Sequence, residues 1–525
     1  MKRPSLWRRA LRAVGLQPLT TRSGFAGAAQ NRLLSDWLLA SVGPNAELQY
    51  DIRQLRTRAR DLEKNDAMVR RYLSLVAENV AGHHGQVLQS RNLLPNGSPN
   101  SQANEKIEAA WREWGRPGEC TMDGRQSFVE LQQHVLRAVA RDGEALVRKV
   151  RGVGRFGLRL VMLDPDLFDD AGQARTHKGN LIHNGVEVDG WGRPVAYHLW
   201  THHFSEAGVN RVVERIPASE VLHLTRPRRA GATRGESWLA PVLITIRHRN
   251  GYIEAAVVNA RTGAAKMGFI QQSDDSAGTG PDPDAAPQEL EASPGVLERL
   301  APGETFAAFD PDYPTAQFGP FLTAIDHEIA AGLGVSHASL TGNLSQVNYS
   351  SIRAGLLTER DTWRSLQGWF ADQFLTPLYE EWLRAAWLAG ALSLRMLPDD
   401  YRAHRWQARG WDWVDPLKDV QAQALGVAFG FTTRGRVVAA QGEDYEALLA
   451  EAERERDLEQ WYGATPRLPS GVISEEGGTD DSTEDATDAV ARGHGGPGRA
   501  GHAGGGRRAD PDHPQLRLAR AAVVG

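Results

Sequence analysis

A single cysteine, Cys120, stands in the 525 residues. It excludes an intramolecular disulfide and any multi-cysteine metal site, and it fits a reducing compartment. No run of about 18 apolar residues occurs, so no membrane span is expected. There is no Gly-Lys dipeptide, hence no P-loop of the usual form and no P-loop ATPase expected in this chain. The G-x-S-x-G nucleophile elbow is missing too. Lysine is scarce: Lys2, Lys64, Lys106, Lys149, Lys178, Lys266 and Lys418 are all there are, and the other cations are arginines. A net charge of −5 gives no overall polyelectrolyte character that would announce a nucleic-acid partner. No internal repeat of fixed period is visible.

What is present has room for two to four domains and a substantial core. Residues 1–35 carry Lys2, Arg3, Arg8, Arg9, Arg12, Arg22 and Arg32 and no acid. Such a stretch has the composition of a transit peptide and equally suits a basic arm that touches nucleic acid or another subunit. Apolar spacing predicts helices over 46–80, 102–115 and 127–142, with Asn65-Asp66 as a break in the first. From Glu144 to Val221 the period becomes two: ALVRKV, GLRLVML, LIHNGVEVD, PVAYHLWT and VVERIP read as short strands between Gly or Pro turns. A long helix is predicted over 238–272, with Pro241 in its first turn, reaching about 50 Å at 1.5 Å per residue. Residues 273–295 are Asp/Pro/Gly/Ala-rich, and TFAAF reads as a strand beyond them. Trp382, Trp387, Trp406, Trp411 and Trp413 demand burial, and helix resumes from Asp415 to Trp461. Beyond Thr465 an acidic block and a Gly/His/Arg block have too little apolar surface to offset the entropy of ordering.

The stretch around which the chain is organised runs from Phe318 to Leu366: FGPFLTAIDHEIAAGLGVSHASLTGNLSQVNYSSIRAGLLTERDTWRSL. Phe321, Ile325, Ile329 and Leu333 keep one helical face. Gly332 and Gly334 are expected to stop that helix. A polar, nearly uncharged loop follows, and helical spacing resumes at Ile352 with Ser350 or Ser351 as cap. Pro377 is expected to end or kink the second helix.

Three strings imitate enzyme motifs. Gly152-Val153-Gly154-Arg155-Phe156-Gly157 spells G-x-G-x-x-G, but a strand follows where a dinucleotide site needs a helix, so it reads as a hairpin turn. His327 to His337 fits the extended zinc-protease string except at the middle ligand, which is Ala331; that leaves two histidines judged distant from each other. The neighbours His83-His84 and His202-His203 diverge on regular backbone and read as surface residues.

GLGVSHASLTGNLSQVNYSSIRAGLLTERDTW resembles the signature of bacteriophage portal proteins of the lambda-like family, and HLTRPRRAGATRGESWLAPVL (223–243) and WVDPLKDVQAQALGVAFGFTTRGRVVAAQGEDYEALLAEAERE (413–455) agree with it in the same order. The resemblance spans roughly residues 30 to 460. It implies an α+β portal fold in a ring homo-oligomer, a dodecamer, at one capsid vertex of a virion assembled in the host cytoplasm. Laid on this chain, the parts are a basic arm (1–35), a helical then β-rich wing (36–237), stem helices (238–272 and 318–333), a clip (273–317), a tunnel loop (334–350), a long helix with wing and crown helices (351–464) and a disordered tail (465–525). The implied partners are the chain itself, double-stranded DNA passing non-specifically, the terminase motor, the major capsid protein and a head–tail adaptor. No membrane, cofactor, metal or catalytic residue is implied.

Ser339, Thr341, Asn343, Ser345, Gln346 and Asn348 are the candidates for the DNA channel, because short hydroxyl and amide groups give exchangeable contacts and no base reading is wanted. Asp326, Glu328 and Lys266 are candidates to face the lumen; pairing of the two acids with arginine across subunits is the other reading. Arg226, Arg228, Arg229 and Arg234 are candidates for the subunit interface, contact with DNA being the other reading. The competing functions are another phage head or head–tail structural protein, such as an adaptor, and an enzyme.

Overall fold

The computed structural model describes residues 42–170, 173–176, 179–264, 268–272, 304–308, 316–345, 349–394, 397–411 and 416–462. By contact the chain divides into a unit ending at Glu455 and a second that begins at Arg456. The basic arm 1–35, most of the clip and the tail beyond 464 lie outside the described residues.

The first helices break where the sequence predicts. Helix α1 (Pro44–Asn65) ends before Asp66, whose side chain accepts from Val69 N at 2.9 Å and so caps α2 (Ala67–Val80). Strand β1 (Val87–Ser90) follows, then α3 (Ser101–Trp114) and α4 (Phe128–Asp142). Ser127 and Glu130 form a reciprocal capping box at the start of α4. Gly143 closes that helix in the left-handed region, φ 88°. A Cβ there would come within 2.4 Å of the Glu236 backbone, so only glycine lets the two segments meet.

The alternating sequence beyond forms antiparallel sheets. Strand β2 (Glu144–Arg151) pairs with β3 (Leu158–Leu163), and the G-x-G-x-x-G string is their hairpin turn, with Gly152 N donating to Gly157 O at 2.8 Å. Five short strands form a second sheet in sequence order: β4 (Gln173–Arg175), β5 (Leu181–His183), β6 (Val186–Val188), β7 (Pro194–Trp200) and β8 (Val213–Pro217). Strand β9 (Val221–Thr225) returns to flank β2 on the side opposite β3. Phe168, Val186, Tyr197, Leu199 and Ile216 fill the small core of the five-stranded sheet.

The predicted long helix is shorter than expected. Residues 238–242 make turns packed on α4, Trp238 N donating to Ala140 O, and helix α5 occupies Leu243–Ala264. Gly268–Gln272 is instead a strand, β10, paired antiparallel with β11 (Glu304–Ala308). Helix α6 (Phe318–Leu333) lies back along α5. Gly332 approaches Val242, Arg249 meets Asp326, Tyr252 packs on Phe321, and further out Gly268 pairs with Ala308. The four contacts define one antiparallel hairpin, helical near the body and β-stranded beyond. Gly332 does not stop α6; a Cβ there would sit 2.5 Å from the Val242 side chain, so it serves close packing, and Gly334 alone makes the left-handed stop.

After a short helix α7 (His337–Thr341), α8 (Tyr349–Phe370) begins before Ser350, which therefore does not cap it. Ahead of Pro377 the chain takes a π-helical turn, Ala371–Leu375, and continues as α9 (Thr376–Leu388): the proline is absorbed by loosened winding rather than ending the helix. Trp111, Phe128, Tyr379, Trp382 and Trp406 pack together in the main core, with Trp111 5.0 Å from Trp382 and edge-on to it. Strand β12 (His404–Gln407) pairs with β1 and closes the body across more than three hundred residues of chain. Helices α10 (Pro416–Ala428), α11 (Arg434–Ala440) and α12 (Tyr445–Tyr462) complete the described part.

Candidate channel loop and its supports

The body is locked beneath the hairpin by a buried ion cluster. Glu144, fully buried at the start of β2, accepts from Arg234 Nε at 2.7 Å, from Arg56 Nη2 at 2.8 Å and from His223 Nε2 at 2.9 Å. Burial alone would raise its pKa; the Arg234 charge, the His223 and Arg234 hydrogen bonds and the Arg56 charge outweigh it and hold the carboxylate below its ordinary range. Arg234 also donates to Asn184 O at 2.7 Å, and its guanidinium carbon sits over the Phe168 ring, 3.5 Å from its centre. Arg60 extends the cluster to Asp142, Asp164 and Asp166. The cluster joins α1, β2, β9 and the segment that leads into α5, so the hairpin rises from a fixed base.

This corrects the interface reading of Arg234: its guanidinium is buried inside its own chain and presents nothing to a neighbour. Arg228 pairs with Glu236 at 3.0 Å, and Arg229 reaches Glu47 and Val42 O of the same chain. Arg226 is exposed. Asp326 is likewise not a bare lumen charge, being mostly buried against Arg249 of α5 at 2.5 Å; its arginine comes from the same subunit. Glu328 is exposed, and Lys266 lies outside the described residues.

The loop itself is more ordered than its composition implies. Gly334 turns the chain, Val335 enters the core, and Ser336 caps α7 by accepting from Ser339 N at 3.1 Å. Leu340 is buried, and Gly342 ends α7 in the left-handed region. Glu359 of α8, nearly buried, holds this turn from below. Its Oε2 accepts from Ser336 N at 3.1 Å and from Ser339 Oγ at 2.9 Å, and its Oε1 accepts from Trp363 Nε1 at 3.2 Å. Thr341 Oγ1 donates to His337 O at 2.8 Å. Ser339 and Thr341 are thus half-buried and engaged in holding the turn. Asn343 and Ser345 are exposed and bonded to each other, Ser345 Oγ donating to Asn343 Oδ1 at 2.7 Å. Gln346 and Asn348 lie outside the described residues.

The two histidines of the zinc-like string are not distant. Helix α7 folds back so that the His337 ring stacks on that of His327, 4.2 Å between centres. Burial, and then the His327 charge, lower the pKa of His337, with Asp326 pulling the other way. No group of three or more potential metal ligands occurs among the described residues.

Sequence reasoning missed Glu359, because TERDTW reads as a solvated helix face. The Ser336-x-x-Ser339 spacing, a capping signal inside a supposedly irregular loop, is what could have revealed α7. It also missed Glu144, whose place at a strand start carries no local mark of burial.

An α+β body from which an antiparallel hairpin projects, with a capped turn between the hairpin and a long helix, is the class the fold defines. The chain belongs to the phage portal proteins of the lambda family, whose model matches residues 30–367. It is 32% identical over 432 residues to the probable portal protein of Halomonas phage phiHAP-1, covering 78% of this chain and 82% of that one. Portal protein B of Escherichia phage lambda is 23% identical over 523 residues, 89% of this chain and 95% of the other. Among solved structures, the neck of a native GTA particle computed with C12 symmetry aligns with a TM-score of 0.39 at 15% identity, over 74% of this chain and 93% of that chain.

Proposed function

We propose that the protein is the subunit of a closed ring at one vertex of a phage head, whose axis is the path of duplex DNA during packaging and ejection. Family membership supports this reading. The observation that carries it is the α5–α6 hairpin. Its base is buried at Ile246 and Ile329, while its outer half bares Val257, Val258 and Phe321. An apolar hairpin left half open calls for copies of itself on either side around an axis.

In this reading residues 42–237 are the wing, α5 and α6 the stem, the β10–β11 ribbon part of the clip, and α8 and α9 the long helix behind the loop. Asn343 and Ser345, with Gln346 and Asn348, offer the channel surface, and Ser339 and Thr341 hold its shape. Described loop residues 334–345 include no Asp, Glu, Lys or Arg. A surface of that kind lets phosphates slide, since each fixed cation would bind the backbone tightly and release counterions. The terminase motor, major capsid protein and head–tail adaptor are the partners, in a virion assembled in the host cytoplasm, and the role is structural rather than catalytic.

Electron microscopy of the purified full chain tests the reading. A closed ring with a central opening, residues 334–345 nearest the axis, is expected. Solid particles or monomers across assembly conditions refute the ring, and a loop that points outward refutes the channel assignment.

A further inference from the structure

Residues 416–455 form α10, α11 and most of α12 and contain not one buried residue. Short helices in water are marginal without a tertiary face to pack on. Yet this segment is pinned to the body: Arg353 pairs with Asp419 at 3.3 Å, Gln407 Nε2 donates to Ala439 O at 2.9 Å, and Arg91 reaches Asp444 at 3.2 Å and Glu446 at 2.8 Å. At Gly410 the backbone touches that of Gln441 so closely that a Cβ would come within 2.1 Å. The segment is therefore held in place while its apolar side chains, Leu417, Val420, Leu425, Phe429, Phe431 and Leu448, stay in solvent; Phe429 is 71% exposed and Phe431 83%. Patches of this kind mark surfaces that another protein covers.

We infer that this surface is the adhesive of the assembly, docking head-to-tail on a second copy of the same chain. The inference rests on the ring reading above. Two observations select a second copy over a visiting partner. The first is extent: three consecutive helices without a buried residue need a permanent cover, because a partner that comes and goes leaves them exposed between visits. The second is charge. Residues 430–442 carry exposed Arg434 and Arg436 and no acid, whereas exposed Glu446, Glu451, Glu453, Glu455 and Asp457 outnumber Arg454 and Arg456 in α12. No ion pair joins Arg434 or Arg436 to these acids within the chain, among the described residues. A basic face and an acidic face on one subunit complement each other between neighbours in a heterologous, ring-closing contact.

Full-length protein with Arg434→Glu and Arg436→Glu, with Glu451→Arg and Glu453→Arg, and with all four changes is compared with the parent by mass photometry and negative-stain microscopy. Each reversal alone is expected to lower the yield of closed rings at least tenfold, and the fourfold variant to restore it. Leu425→Glu with Phe429→Glu is expected to leave monomers with the parent's helical circular dichroism. Amides of 416–440 in parent rings are expected to be protected from exchange, and in those monomers to exchange at least tenfold faster. Parent rings together with rings at parental yield from both reversals and from the apolar variant overturn this inference and leave the ring reading standing. So do unprotected 416–440 amides in the parent ring. A parent that never closes a ring overturns the reading on which the inference rests, and the inference with it.

Discussion

Glu144→Gln separates charge from shape in the buried cluster. Glutamine keeps the volume and accepts through one oxygen, so the variant removes mainly the negative charge. What remains is Arg234, fully buried, with only the carbonyls of Asn184 and Pro165, while Arg56 keeps Asp166 at 2.5 Å. One buried cation is left uncompensated rather than two. Breaking a buried pair costs about 3–5 kcal/mol, and the surviving Arg56 partner puts this case at about 3 kcal/mol. At about 2–4 °C per kcal/mol for a domain of this class, the melting midpoint falls by about 6–12 °C. Thermal unfolding followed by circular dichroism reads it. The folded pKa of Glu144 lies below the unfolded value of about 4.3, so its contribution is complete above that pH and fades as pH falls through the folded value. The gap between parent and variant should therefore be flat from neutral pH to about 5 and narrow in stronger acid. Adding Arg234→Met to Glu144→Gln removes the stranded cation and should recover part of the loss. A midpoint change under about 2 °C, or a gap that widens in acid, refutes the argument.

Glu359→Ala removes the acceptor that holds Ser336, Ser339 and Trp363; hydrogen exchange should rise across 336–341 by the equivalent of about 1–3 kcal/mol while residues 144–163 stay unchanged. Burial pushes the Cys120 thiol up to about 12, so it should resist a thiol reagent at pH 8 in the native protein and react at once in denaturant. Gly332→Val drives a branched side chain into Val242 and should part the base of α5 from α6, costing about 1–3 kcal/mol by denaturant titration, whereas Gly319→Ala, with open space around it, should cost less than 1 kcal/mol.

Family membership was legible without coordinates, because it lies in ordered strings such as GLGVSHASLTGN that survive in sequence. The elements of residues 44–225 were legible too. Period-two and period-3.6 patterns, the Asn65-Asp66 break and the Gly152–Gly157 turn are local features written in consecutive residues. The length of α5 was not: Gly268–Gln272 became a strand because Glu304–Ala308 lay opposite to pair with it. The roles of Asp326 and Arg234 were misjudged for the same reason, since a lone acid or arginine in a string says nothing of the Arg249 or Glu144 that folding brings to it.

Helical and strand periodicity, the cap residues and the polar make-up of 334–350 were thus fixed by the chain's own order, each depending on neighbours a few residues away. Which polar side chains of that loop remain exposed, that His337 stacks on His327, and how β1 finds β12 were decided only by the tertiary structure. Those outcomes depend on partners brought from far along the chain, and a charge or hydroxyl acquires its role from what lies across from it in space.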